Sequence, residues 1–272
     1  MARFAPVMPI PVAEIFQRED ALGSYHLLLA HDVLKQPDAY HDIYGQITGS
    51  RADDNIFDDT QGTIIMDNSV IELGYPVPAN QLLEAVQIVN ANVIVLPDHL
   101  LDCDLTIRAT LDALETYTEP LAAAGAAMAV PQGDSFGEWV RCLEAFAEVE
   151  EISWIGIAKN INEKLGVSRK KAIDAVWTVC GLEKQCHMLG FSDDLWDDIM
   201  ATKYGHQLGL VTGIDSAAPI WSGWRDGRPI TLSGNIPGKR GDWFENPLSP
   251  NQNIDMAIRN ANQVRDWIVD LG

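Results

Sequence analysis

Leu210-Val211-Thr212-Gly213-Ile214-Asp215-Ser216 is an apolar, β-prone run that bends at a glycine and then delivers one carboxylate. Two earlier runs do the same. Thr63-Ile64-Ile65-Met66 ends on Asp67-Asn68-Ser69, and Val93-Ile94-Val95-Leu96-Pro97 ends on Asp98. Carboxylates at the C-terminal ends of several buried strands are how a parallel barrel assembles an active site. A pair of them suits acid/base or nucleophilic carboxylate chemistry.

Working outward, short apolar runs alternate with longer helical patterns. The predicted strands are His26–Ala30, Thr63–Met66, Val93–Leu96, Ala127–Val130, Ser153–Ala158, His187–Leu189, Gly209–Thr212 and Pro229–Leu232. Between them lie patterns of 3.6-residue period, among them Leu105–Tyr117 and Phe136–Val149. Another helix opens near Asn80, a candidate N-cap, with Leu82, Leu83, Val86 and Val89 on one face. A last helix, Ile254–Leu271, presents Ala257, Ile258, Ala261, Val264, Ile268 and Leu271. Strands alternating with helices imply a parallel sheet. Eight such units predict an α/β fold, a (β/α)₈ TIM barrel forming a single domain over residues 1–272. In this reading residues 1 to about 25 are an N-terminal extension. The Pro/Gly-rich stretch of about 221–250 is a loop excursion near the mouth, a candidate lid.

Composition sets further bounds. The chain has 272 residues, 47% hydrophobic, enough for one large core. No apolar run reaches the ~18 residues of a membrane span, and the N-terminus lacks a secretory pattern. A soluble, cytoplasmic protein is expected. Cys103, Cys142, Cys180 and Cys186 form no CxxC pair, so buried thiols are expected rather than metal ligands. His99, His187 and His206 fit no metal motif; His99 stands beside Asp98, and His187 reads as a core histidine. Neither a dinucleotide fingerprint nor a P-loop occurs. The expectation is no metal and no cofactor.

The strand ends, in order, are Asp67-Asn68-Ser69, Pro97-Asp98-His99, Pro131-Gln132-Gly133, Gly156-Ile157-Ala158, Leu189-Gly190 and Gly213-Ile214-Asp215. Singly each has a bland reading. A lone Asp commonly caps the next helix, Gln132 could face solvent, and Gly156 could merely permit close packing. As an ordered series they resemble the tRNA-guanine transglycosylase superfamily, most of all its smaller, often virus-encoded DNA-type members. The resemblance runs from about Ile64 to Ser216, over half of the chain.

The resemblance implies roles. Asp215 would be the nucleophile and Asp67 the general acid/base. Asp98 would read the heterocycle, with Asp102 as a substitute whose bland reading is a helix cap. Gln132-Gly133 would bind the base carbonyl, Gly156 would donate a backbone N–H, and Leu189-Gly190 would form a base platform. The implied reaction replaces guanine in DNA by a 7-deazaguanine such as preQ0, which would shield a viral genome from restriction. The chain departs from the tRNA enzymes in lacking their cysteine-rich zinc site, and Asn68-Ser69-Val70-Ile71-Glu72 stands where they carry Ser-Gly-Gly-Phe-Gln. Both departures shift weight from tRNA to DNA. A tRNA-directed enzyme, a non-catalytic partner subunit and an unrelated barrel hydrolase are the competing readings.

The implied partners are DNA with a flipped base and the free 7-deazaguanine. The formal charge of −20 opposes a broad polyanion surface, and a protein partner or homodimer would help offset it. Candidate phosphate contacts are Arg169, Lys170 and Lys171, and then Arg225, Arg228, Lys239 and Arg240. Trp221, Trp224 and Trp243 would either stack on bases or pack the late segment onto the barrel.

Overall fold

The computed structural model describes residues 1–47, 62–232 and 253–270. Its strands are β1 (Arg3–Pro6), β2 (Tyr25–Leu29), β3 (Thr63–Asp67), β4 (Val93–Val95), β5 (Ala126–Ala129), β6 (Ile152–Ala158), β7 (Gln185–Leu189) and β8 (Val211–Ser216). They form one all-parallel sheet in the order β1-β8-β7-β6-β5-β4-β3-β2. β1 and β2 meet at the seam, so the sheet is nearly closed. The fold is a (β/α)₈ TIM barrel.

Helices fill the connections. After β1 comes α1 (Ile10–Arg18), and after β2 come α2 (Ala30–Lys35) and α3 (Pro37–Tyr44). β3 leads to α4 (Val70–Leu73) and α5 (Ala79–Val89), β4 to α6 (Cys103–Ala124), and β5 to α7 (Phe136–Ala147). Next are α8 (Asn160–Glu163) and α9 (Arg169–Cys180), then α10 (Leu195–Gln207) after β7. α11 (Ala218–Asp226) and α12 (Ile254–Asp270) pack on each other at the end. Among the described residues no helix is long and apolar enough to cross a membrane.

Strand alternation divides the core in two. Tyr25, Leu27, Leu29, Ile65, Val93, Val95, Met128, Val130 and Trp154 fill the barrel interior. The intervening residues, such as Leu28, Ile64, Met66 and Ile94, face the helices. Burial on both faces is why these strands read as nearly continuous apolar runs. Gly156 sits in the inner layer, where a Cβ would lie 2.7 Å from Leu189 Cδ1 and 2.9 Å from Val130 Cγ2.

Several expectations are corrected. Residues 1–25 are no extension: they supply β1 and α1, the first βα unit. Arg3-Phe4-Ala5-Pro6 gains its strand from pairing with β8, in register Ala5↔Asp215. Pro229–Leu232 is not a strand. Ile230 is buried instead, with its N–H bonded to Asn260 Oδ1 on α12 at 3.1 Å. The stretch from Trp221 begins inside α11 rather than in a loop, and Trp221 and Trp224 are buried there. Burial removes both from any stacking surface. Trp243, Lys239, Arg240 and Leu271 lie outside the described residues. Asn80 falls within the first turn of α5, whose N-cap is Pro78.

Candidate active site

A cavity of about 720 Å³ opens at the C-terminal ends of the strands, above the inner layer of Leu27, Leu29, Val95 and Val130. Period-2 alternation aims the two carboxylates at it. Asp67 lies two residues beyond inward-facing Ile65 at the end of β3, and Asp215 lies near the end of β8. Both line the cavity, together with Asp98, Gln132, Leu189 and Gly190.

Asp215 is buried and tightly held. Its Oδ1 accepts from the Gly190 N–H at 3.0 Å and lies 3.1 Å from His187 Nε2. Among the described residues Oδ2 accepts nothing. Behind it, the Tyr25 hydroxyl is 2.7 Å from His187 Nδ1 and 3.2 Å from Thr212 Oγ1. Thr212 donates its own proton to the Cys186 carbonyl at 2.9 Å. Burial pushes His187 below its ordinary pKa, although the bond to Asp215 opposes this. Burial also pushes Tyr25 above the usual phenol range. A neutral imidazole carries one N–H. Against an Asp215 carboxylate, Nε2–H donates to Asp215 and Tyr25 donates to Nδ1; with the Thr212 proton on the Cys186 carbonyl, the Tyr25–Thr212 contact then carries no proton.

Gly190 therefore orients Asp215 through its N–H while itself lining the cavity beside Leu189. Its φ is +69°, and a Cβ would meet the Lys159 side chain at 3.2 Å. Arg169 completes the bracket. Its Nη2 donates to the carbonyls of Leu189 at 2.7 Å and Gly190 at 2.6 Å, and its Nε lies 3.3 Å from Asp198 Oδ1. Both side chains of that ion pair are fully buried. Arg169 is thus a buried strut, correcting its assignment to phosphate.

Asp67 stands at the cavity wall in an Asx turn, its Oδ1 accepting the Ser69 N–H at 2.6 Å. Burial pushes its pKa well above the carboxylate range, and the charges of Glu72, Asp215 and Asp98 push the same way. These influences favour its protonated form relative to an exposed carboxyl.

Asp98 is the hub of an amide network. Asn68 Nδ2 donates to Oδ1 at 2.7 Å and Gln132 Nε2 donates to Oδ2 at 2.6 Å. Gln132 Oε1 in turn accepts from Asn160 Nδ2 at 3.0 Å and from the Leu101 N–H at 3.2 Å. Burial pushes Asp98 up to about 6 against the opposing pull of Asn68 and Gln132. Each carboxylate oxygen keeps acceptor capacity for N–H donors on a ligand.

The remaining expected residues fall elsewhere. Asp102 caps α6, accepting the Leu105 N–H at 2.9 Å, and does not line the cavity. Gly133 packs on the start of α7, where a Cβ would lie 2.6 Å from the Trp139 nitrogen. Gly156 is a packing residue of the inner layer, and neither glycine lines the cavity. His99 does not line it either, and His206 bonds the Val211 carbonyl at 3.2 Å. The four cysteines are free and buried. Lys170 is exposed, paired with Asp174 at 3.0 Å and lying over the Tyr204 ring; Lys171 lies over Phe136. Arg225 is spread on Trp221, and neither Arg225 nor Arg228 lines the cavity.

Sequence reasoning missed Tyr25, Asn68, Asn160 and three cavity lysines, Lys35, Lys159 and Lys164. Asn68 was visible beside Asp67, and the inward spacing of Tyr25, Leu27 and Leu29 was a usable signal for Tyr25. The lysines carried none. No family model and no curated protein matches the chain.

Proposed function

We propose that the protein is a pentosyltransferase that exchanges guanine in DNA for a 7-deazaguanine such as preQ0. The observation that carries the reading is the meeting of Asp67 and Asp215 in one cavity, one biased by its surroundings toward the protonated form and the other held by two N–H donors with an oxygen to spare. Two carboxyls with unlike environments are the equipment of retaining glycosyl transfer.

In this reading Asp215 Oδ2 attacks C1′ of the deoxyribose. The C1′–N9 bond breaks, its electron pair leaves with the base, and Asp67 gives the departing guanine a proton. Asp215 and the sugar then form an ester. Asp67, now a carboxylate, takes the N9 proton of the incoming 7-deazaguanine, whose nitrogen displaces Asp215 from C1′. The negative charges facing the sugar stabilise its oxocarbenium character. The Asp98 carboxylate accepts from the N1–H and exocyclic amine of either base, and Gln132 holds Asp98 in place. Cytoplasmic action on a viral genome, with protection from restriction, follows from the same reading.

One observation favours a second reading. The cavity is lined by seven carboxyl side chains against three lysines, which suits a neutral glycoside better than a polyanion. The same carboxylates would then hydrolyse a small glycoside. The deciding experiment incubates the protein with DNA, with tRNA and with free nucleosides, each with a panel of 7-deazaguanines, and analyses nucleosides by mass spectrometry. Incorporation into DNA is expected. Incorporation into tRNA alone, or release of free base from nucleosides without exchange, overturns the DNA assignment.

A further inference from the structure

The cavity rim carries apolar side chains that the base-exchange chemistry does not use. Leu100 and Leu101 both line the cavity yet are 41% and 37% exposed. Ile71, on the neighbouring βα connection, is 58% exposed, and Tyr75 beyond it is 60% exposed. Single exposed apolar residues are ordinary, but a group at the rim of a cavity marks an interaction site.

The backbone under them is unusual. His99 to Asp102 is a turn closed by the Asp102 N–H on the His99 carbonyl at 3.1 Å. Leu101 occupies its third position with φ +62°, a conformation that turns normally give to Gly or Asn. A large apolar residue is therefore held outward where a glycine would fit with less strain. What holds it is Gln132, whose Oε1 accepts the Leu101 N–H while its Nε2 donates to Asp98. The apolar turn and the carboxylate that faces the heterocycle form one hydrogen-bonded unit.

Cations flank this unit around the rim. The turn follows β4. On one side, beyond β2, stands Lys35, 3.8 Å from the Asp32 carboxylate, and on the other, beyond β6, stand Lys159, paired with Glu163 at 3.3 Å, and Lys164. Lys164 is exposed and makes no ion pair among the described residues, the neighbouring Glu163 pairing with Lys159 instead. An apolar tip with Lys164 to one side matches a base face beside a phosphate.

We infer that the His99–Asp102 turn is a wedge, and that Leu100 and Leu101 enter the base stack of duplex DNA where the departing guanine leaves it. This deepens the DNA reading and rests on it. A wedge offsets the unstacking that flipping requires, so its occupant is a paired stack and not a free nucleoside. It also fills the role that the burial of Trp221 and Trp224 leaves open.

The test compares the wild type with Leu101→Gly on two duplexes, one with the target guanine paired and one with it opposite an abasic site. Leu101→Gly relieves the backbone strain, so a melting temperature equal to or above that of the wild type verifies the fold. The expected result is a fall of about tenfold or more in the ratio of exchange on the paired target to exchange on the unpaired one. A 2-aminopurine beside the target, which brightens on unstacking, should brighten with the wild type and less with the variant. An unchanged ratio and unchanged brightening overturn the wedge while leaving the exchange reading standing. No exchange by the wild type on either duplex, with no brightening, removes both. A wild-type dimer that Leu101→Gly converts to monomer in sedimentation assigns the rim to self-association and overturns the wedge as well.

Discussion

His187 Nε2 lies 3.1 Å from Asp215 Oδ1, and the opposite ring nitrogen is 2.7 Å from the Tyr25 hydroxyl. Against an Asp215 carboxylate, a neutral imidazole serves both contacts with its proton on Nε2. Tyr25 therefore selects the tautomer that donates to Asp215, and Asp215 enters catalysis with one oxygen committed and the other available.

That relationship gives a first prediction. In ¹⁵N-resolved spectra of the wild type, His187 should show a protonated Nε2 and a bare Nδ1. Tyr25→Phe leaves Nδ1 buried without a donor, at a cost of about 1–3 kcal/mol in denaturant unfolding. His187→Leu should lower kcat about 10- to 100-fold with little change in KM, and His187→Gln, which keeps a donor, should restore part of it. Equal losses in the Leu and Gln variants would show that the donor is irrelevant.

Asp215→Asn should abolish the covalent protein–DNA adduct seen on denaturing gels and reduce exchange by about 10⁴-fold or more. An adduct of undiminished yield would transfer the nucleophilic role to another residue.

Asp98 supplies a pH dependence. Its folded value of about 6 means that the accepting carboxylate forms as pH rises through that point, so kcat/KM should climb between about pH 5 and 7 and then level. Because this value is raised over that of the unfolded chain, the contribution of Asp98 to stability is present below about pH 4 and lost as pH rises through 6. Melting of the wild type against Asp98→Asn across that window checks the sign. A flat acid limb would separate Asp98 from ligand recognition.

Removing Arg169 strands the buried Asp198 and frees the Leu189 and Gly190 carbonyls. Arg169→Met should cost about 3–5 kcal/mol. Lys170→Met and Lys171→Met, on the exposed face of the same helix, should stay within about 0.5 kcal/mol. Urea unfolding of the three variants separates a strut from a phosphate contact.

Gly156→Ala places a methyl against Leu189 and Val130 in a filled inner layer. A loss of about 1–3 kcal/mol is expected, readable as a lowered urea midpoint with an unchanged slope.

Seven of the eight barrel strands were legible as apolar runs, because parallel strands buried on both faces have little polar alternation to hide them. β1 was not. Its four residues begin with Arg3 and end with Pro6, and they become a strand only by pairing with residues 213–216. The false strand at Pro229–Leu232 arose from Ile230, whose burial under α12 mimics a sheet residue. At the site, Asp67, Asp98, Gln132 and Asp215 were legible because their chemistry coincides with the ends of apolar runs. Arg169 was misread as one of three neighbouring cations. Helical periodicity separates it from the other two, since Arg169, Ala172, Ile173, Val176 and Cys180 share the buried face of α9. The relay behind Asp215 joins residues 162 positions apart, a proximity that no local pattern encodes.

The pairing of Ala5 with Asp215 has a consequence for biogenesis. Strand β8 has only two neighbours, β7 and β1, so until the ring shuts, the strand bearing the reactive carboxylate is an open border of the sheet. Its closing partner leaves the ribosome some two hundred residues earlier and must wait for it. A chain caught in that interval would expose an unpaired ladder to its neighbours, so anything that delays the docking of residues 3–6 should appear first as aggregation and only then as lost turnover.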